Sequence, residues 1–110
     1  MAYDEGLAQR VREVLSEAPG YEEKKMFGGI GFLLHGNMAC GVIREDLIVR
    51  VGEDNYTEAL LKPEVELFDI TGKAMTGWVI VKEPGCRDDS SLKAWVDQGA
   101  IYSLTLPQKE

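Results

Sequence analysis

Apolar side chains follow a helical spacing near both ends of the chain. Between residues 4 and 18 they recur three or four positions apart, at Leu7, Val11, Val14, Leu15 and Ala18. This spacing predicts an amphipathic helix with Asp4 as its N-cap, and the Pro-Gly pair of "APGY" ends it. A last helix is predicted from the cap cluster "DDSS" to the residue before Pro107, with its apolar face at Leu92, Trp95, Val96, Gly99 and Tyr102.

The middle of the chain consists of short apolar runs that are typical of strands. Runs at 26–34, 38–43 and 47–51 are separated by "HGN" and "RED", which predict hairpin turns. A short helix is predicted over "DNYTEALLK", and two further strands over "VELFDI" and "GWVIV". The pattern predicts a single domain over residues 1–110, of the α+β class with two layers. These layers are an antiparallel five-stranded sheet and three helices, in the order α-β-β-β-α-β-β-α.

Side-chain alternation assigns the first three predicted strands to two faces of the sheet. The register assumes tight turns at Gly36–Asn37 and at Glu45–Asp46, which places Phe32 opposite Gly41. One face then carries Leu33, Cys40, Val42, Leu47, Val49 and Val51. The other carries Ile30, Phe32, Leu34, Ile43 and Ile48. Because both faces are apolar, helices packed on one side would leave the other side as an interaction face.

We expect this interaction face to be centred on Ile30, Phe32 and Ile43, with Phe32 as its anchor. A second copy of the chain is the simplest cover, because a two-fold dimer uses the same patch on both subunits. A different protein partner is the alternative.

Composition and charge narrow the range of functions. The chain has 110 residues and a formal net charge of −7, with 12 basic against 19 acidic residues. Such a chain repels phosphate backbones, so no direct nucleic-acid binding is expected. The N-terminus "MAYDEGLAQRVREVL" lacks the features of a signal peptide, and no apolar run approaches the roughly 20 residues of a membrane span. We therefore expect a cytoplasmic protein with no membrane contact and with reduced cysteines.

The glycine-rich stretch "GGIGFLLHGNMACG" is the main candidate for chemistry. It is followed by a turn and a strand, whereas a dinucleotide fingerprint requires a helix N-terminus. His35 and Cys40 are expected roughly 7 Å or more apart, too far to form an activated thiolate pair. Cys40 is expected in the core and Cys86 in the loop "EPGCRDD". No catalytic, cofactor or metal residues are assigned. A small-molecule-binding protein or enzyme with a pocket near Gly29, Gly31 and Cys40 is the alternative function.

Several features together resemble the N-terminal domain of the TfoX/Sxy family of competence regulators. They are the N-terminal amphipathic helix, "KKMFGG" with Met26, Phe27, Gly28 and Gly29, the segment "GKAM" leading into "GWVIV", and the final Trp-containing helix. The resemblance implies a two-layer fold similar to type III secretion chaperones. It also implies a non-catalytic regulatory role in the induction of DNA uptake genes, together with transcription factors. Because the chain ends at Glu110, we expect it to lack the second, helical domain of the family's namesakes. The fold analogy adds one further alternative, an acidic dimer that holds client segments.

Overall fold

An antiparallel sheet of six strands forms one layer of the protein, and helices form the other. We describe residues 3–26, 28–69 and 74–108 of a computed structural model. The elements are α1 (Glu5–Leu15), β1 (Tyr21–Met26), β2 (Gly29–Leu34), β3 (Asn37–Ile43), β4 (Asp46–Arg50), α2 (Glu53–Leu60), β5 (Val65–Asp69), β6 (Ala74–Val81), α3 (Glu83–Cys86) and α4 (Asp89–Leu104). The order of strands in the sheet is β1-β2-β3-β4-β6-β5. The predicted α+β class is confirmed.

The first helix is capped as the sequence predicts. The Asp4 carboxylate accepts a hydrogen bond of 3.0 Å from the Leu7 backbone N–H, which satisfies one of the free donors of the first turn. Leu7, Ala8, Val11 and Leu15 are buried on one side of the helix. The apolar periodicity therefore marks the side that packs on the sheet.

The sheet has six strands and not the five predicted, because β1 has no apolar pattern. β1 has the sequence "YEEKKM", and its four charged residues are exposed. It lies at the edge of the sheet and pairs only with β2. Charged side chains are favoured on edge strands because they discourage pairing with other chains. An edge strand of this kind lacks the apolar alternation by which strands are recognised in a sequence.

Both observed turns lie one residue earlier in the chain than predicted, which shifts the pairing register of each hairpin by two positions. In the first hairpin Leu34 pairs with Asn37, and the residues between them, His35 and Gly36, both have positive φ angles of 52° and 81°. In the second hairpin Ile43 pairs with Asp46. A shift of two positions leaves every side chain on its expected face, so the turns alone do not change the assignment of faces.

A β-bulge in β3 does change it. Leu33 pairs with Met38 but Phe32 pairs with Cys40, so Ala39 is an extra residue in β3. One extra residue reverses the relation between the faces of two strands. Ile30 and Phe32 therefore lie on the same face as Val42 and Cys40, contrary to the predicted register.

The helices pack on one side of the sheet around a single buried cluster. Gly99 of α4 lies so close to β3 that a Cβ at this position would overlap the carbonyl oxygen of Ala39. Strand residues in the cluster are Ile30, Phe32, Cys40, Val42, Leu47, Val49, Val65, Val79 and Val81, which meet buried residues of α1, α2, α3 and α4. The longest described helix, α4, has 16 residues, and none of the described helices is long and apolar enough to cross a membrane.

Candidate interaction surface

The side of the sheet that faces away from the helices is the open face. Residues that alternate with the core positions form it. A row of paired residues crosses all six strands, and it consists of Lys24, Gly31, Gly41, Ile48, Ile80 and Glu66. Beside this row, Leu33 pairs with Met38 and Arg50 pairs with Trp78. None of these residues belongs to the cluster that the helices cover.

The centre of the open face is apolar and closely packed. Ile48 is only 1% exposed. It nevertheless lies outside the core cluster that the described helices cover. Gly29 and Gly41 are each closely approached by the backbone of the paired strand and by a neighbouring side chain. A Cβ at Gly41 would lie 2.8 Å from Met38 Cε, and a Cβ at Gly29 would lie 2.8 Å from Ile43 Cγ1. These glycines therefore allow larger side chains to lie flat across the sheet.

Larger apolar side chains surround this centre and are partly exposed. They are Leu33, Met38, Ile43, Trp78 and Ile80. The ring of Phe68 lies 6.1 Å from the ring of Trp78 and is 6% exposed. An apolar sheet surface of this kind is unusual when it faces solvent, because antiparallel sheets commonly carry polar residues on the side without helices.

Charged groups lie towards the ends and edges of the open face. The Arg50 guanidinium carbon lies 5.1 Å from the centre of the Trp78 ring and 5.6 Å from that of Tyr102 on α4. This geometry gives two cation–π contacts at the end of β4. Asp46, at the other end of β4, pairs with Lys82 at 3.3 Å. Lys24 and Glu66 are exposed on β1 and on β5, the two edge strands.

The structure divides the predicted interaction face between the two sides of the sheet. Ile43 and Ile48 lie on the open face. Ile30, Phe32 and Leu34 lie on the helix side and are 4%, 0% and 0% exposed. The bulge at Ala39 is the cause, because it reverses the face of β2 relative to β3. The expectation that Phe32 is an exposed anchor is therefore wrong; its ring stacks on Tyr21 at 6.5 Å in the core.

The family-motif residues lie at the hairpin between β1 and β2. Met26 ends β1 and pairs with Gly29, which begins β2. Gly28 has a φ of 75°, a conformation that glycine adopts without strain. Phe27 lies outside the described residues. The described part of the motif thus contributes to the turn between β1 and β2.

The predicted pocket near Gly29, Gly31 and Cys40 is not supported. Cys40 is 0% exposed, as its assignment to the core requires. Complete burial raises the pKa of its thiol to about 12, so the reactive thiolate is disfavoured at neutral pH. Gly29 and Gly31 are also buried, on the opposite face from Cys40. The three residues therefore do not line a common cavity.

Sequence reasoning missed several residues of the open face. Leu33 was placed on the wrong side, and Lys24, Arg50, Glu66, Trp78 and Ile80 were not assigned to the surface. A signal was present in "GWVIV", where four consecutive apolar residues mark a strand that is apolar on both sides. The neighbours of this strand could not be read from the sequence, because β6 lies between β4 and β5.

The sequence is similar to the TfoX N-terminal domain over residues 13–101, a range that contains the whole sheet and most of α4. A comparison with curated proteins gave no match.

Proposed function

This chain belongs to the TfoX N-terminal domain family, and from this premise we propose that it is a non-catalytic regulatory module that works by binding another protein. The single observation that carries the proposal is the open face. Its partly exposed apolar side chains, which include Trp78 and Ile80, lie outside the cluster that the described helices cover. Apolar surfaces of this kind are typical of sites for protein association.

The regulatory part of the proposal follows from the family, whose namesakes are competence regulators. With a net charge of −7, the chain is unsuited to direct contact with DNA, so we propose that it acts on transcription through a protein partner in the cytoplasm. The buried Cys40 gives no support to the alternative of a thiol enzyme.

The proposal can be tested by comparing two isoleucine substitutions. Ile80→Lys places a charge on the open face, whereas Ile101→Lys makes the same change on α4, where Ile101 is 67% exposed. Tagged wild type and both variants are expressed in the native cell, cross-linked and purified. Thermal unfolding first confirms that each variant folds.

We expect wild type and Ile101→Lys to retain the same cross-linked proteins, and Ile80→Lys to lose them. Burial of a charge at the centre of a protein interface is costly, which is why only the first substitution affects binding. If all three proteins give identical cross-links while folded, the open face is not the binding site and the proposal is wrong.

A further inference from the structure

We propose that β1 is a releasable cover of the sheet edge, and that a side-chain network of Arg12, Tyr21 and Glu23, here called the latch, holds it on β2. In the closed state β1 pairs with β2 along its whole length. In the open state β1 leaves β2 while the rest of the sheet remains folded. This device is independent of the proposed function, because it involves one edge of the sheet and not the open face.

Apolar contacts hold β1 only weakly. Four of its six residues are charged, and all four are exposed. Among its described side chains only Tyr21 packs on the core cluster, where its ring centre lies 6.5 Å from that of Phe32. The other edge strand, β5, buries both Val65 and Phe68. Segments with few buried apolar contacts open at a lower free energy than the core, so β1 is suited to separate opening.

The latch supplies a polar contact in place of the missing apolar ones. The Arg12 guanidinium donates two hydrogen bonds to the Glu23 carboxylate, from Nε at 2.5 Å and from Nη2 at 2.9 Å. The Tyr21 hydroxyl donates another to the same carboxylate. The bonds from Arg12, together with that from Tyr21, lower the pKa of Glu23 and so keep it ionised at neutral pH. Because Arg12 lies on α1, which is buried against the sheet, the latch ties β1 to a fixed element.

The latch can open because water reaches it. The Arg12 and Glu23 side chains are 36% and 27% exposed, so water replaces their mutual hydrogen bonds when β1 moves away. Gly20 and Gly28 lie on either side of β1 and have positive φ angles of 66° and 75°. Glycine changes its backbone angles at little steric cost, so these two positions serve as hinges for the strand.

Release of β1 uncovers a strand of different character. β2 has the sequence "GIGFLL", which carries no charge, and it buries Ile30, Phe32 and Leu34. An apolar strand with free backbone groups is prone to pair with a strand of another chain, whereas a charged edge strand discourages such pairing. The latch therefore sets how often the sheet presents an edge that can be extended.

Hydrogen exchange followed residue by residue by NMR at pH 7 tests this device in the wild-type chain. β2 lies between β1 and β3, and in an antiparallel sheet its successive amides bond alternately to the two neighbours. We expect the β2 amides that bond to β1 to exchange together with the amides of β1. Amides that bond β2 to β3, and those between β3 and β4, should exchange at least about tenfold more slowly. Equal protection throughout β1–β4 would overturn the inference, since β1 would then open only when the whole protein unfolds.

Two neighbouring glutamates test the latch itself. Glu23→Gln weakens the hydrogen bonds from Arg12 and Tyr21. We expect it to accelerate exchange in β1 about fivefold, as loss of partly screened, charge-assisted hydrogen bonds implies, and to leave β3 and β4 within about twofold. Glu22→Gln is the control, because it removes the same charge at a residue that pairs with Leu33 and makes no ion pair within the described part of the chain. It should leave exchange in β1 unchanged.

Arg12→Gln breaks the latch from the side of α1 and is expected to accelerate β1 to a similar extent as Glu23→Gln. If Glu23→Gln and Glu22→Gln have equal effects on β1, the network is not a latch and the inference is wrong. These results do not depend on cross-linking through the open face. Failure of the exchange experiment therefore leaves the proposed function standing, and loss of the proposed function leaves the latch standing.

Discussion

Cys40 and Cys86 are both buried, but at different depths. Cys40 lies in the middle of β3 under α4 and is 0% exposed. Cys86 is 2% exposed at the end of the four-residue helix α3, and its Sγ donates to the Lys82 carbonyl at 3.8 Å. The expectation of a loop at Cys86 is corrected by this helix. Burial raises the pKa of the Cys86 thiol, as it does for Cys40, so rapid reaction is disfavoured at both positions.

We predict that a thiol reagent at pH 7 labels Cys86 first and Cys40 only when the protein unfolds globally. Cys86 lines a surface groove of about 270 Å³, so local opening of α3 is sufficient to expose it. Peptide mass spectrometry over a labelling time course gives the order. The variant Cys86→Ser isolates Cys40 as a control. Labelling of Cys40 within seconds in the native protein would contradict its place in the core.

At the scale of elements, α4 depends on its N-cap. The Asp88 side chain accepts hydrogen bonds from the Ser90 hydroxyl at 2.7 Å and from the Ser91 backbone N–H at 3.0 Å. These bonds lower the pKa of Asp88 to about 2, because they favour the ionised carboxylate. A lowered pKa in the folded state means that the stabilisation is complete above the unfolded value of about 3.9.

We therefore predict that the contribution of Asp88 to stability disappears as the pH falls from about 5 to about 2. Asp88→Asn should lower the melting temperature at pH 7, and the difference from wild type should shrink through this range. Differential scanning calorimetry at several pH values measures it. Asp89→Asn is the control, because it removes the same charge at the next residue, whose exposed side chain pairs with Arg10 but does not cap the helix. A difference in melting temperature between Asp88→Asn and wild type that stays constant with pH would argue against the ionised Asp88 carboxylate as the cap.

The contact of α4 with the sheet depends on Gly99. Substitution by Ala would force a Cβ against the Ala39 carbonyl, which belongs to the bulged backbone of β3. We predict that Gly99→Ala lowers the free energy of unfolding by about 2 kcal/mol, as overpacking typically does. Gly6→Ala in α1 is the comparison, because its Cβ would lie 3.2 Å from the Asp4 oxygen that caps the helix, a contact that a small side-chain rotation relieves. Since Ala is also the better helix former, we expect a change within about 0.5 kcal/mol. Urea denaturation measures the free energy of unfolding of both variants. Equal changes in the two variants would show that the packing of α4 against β3 at Gly99 is loose.

At the scale of the whole molecule, the net charge of −7 determines how the protein interacts with polyanions such as nucleic acids. Ion pairs neutralise part of the positive charge as well. A carboxylate lies beside each of five basic side chains, Arg10, Arg12, Lys82, Arg87 and Lys93. These ion pairs among the described residues, together with the excess of acidic side chains, oppose the counterion release that drives binding to a duplex.

We accordingly predict no binding to duplex DNA or to RNA above background at physiological salt. An electrophoretic mobility shift assay at up to about 10 μM protein tests this, with a basic DNA-binding domain as the positive control. A shift that weakens steeply with salt would contradict the prediction and would point to a basic region formed on association.

The sequence by itself determined the parts of this protein that depend on near neighbours in the chain. Asp4 and the "DDSS" segment identified helix starts, because a cap bonds to backbone groups only two or three residues away. Apolar alternation identified the strands that are buried on at least one side and their α+β arrangement. The shared face of Cys40, Val42, Leu47 and Val49 was also predicted correctly, because a turn displaced by one residue shifts the pairing by two positions and so does not alter alternation.

Only the tertiary structure decided which side of β2 faces the helices. The bulge at Ala39 places Phe32 in the core and Leu33 on the open face, and it lies where α4 approaches β3 through Gly99. No local pattern around Ala39 encodes this contact, since its partner is 60 positions away in the numbering. The edge strand β1 and the position of β6 between β4 and β5 were decided in the same way. Pairing and close packing between distant segments set these features, and they therefore determine which apolar surface the protein presents to a partner.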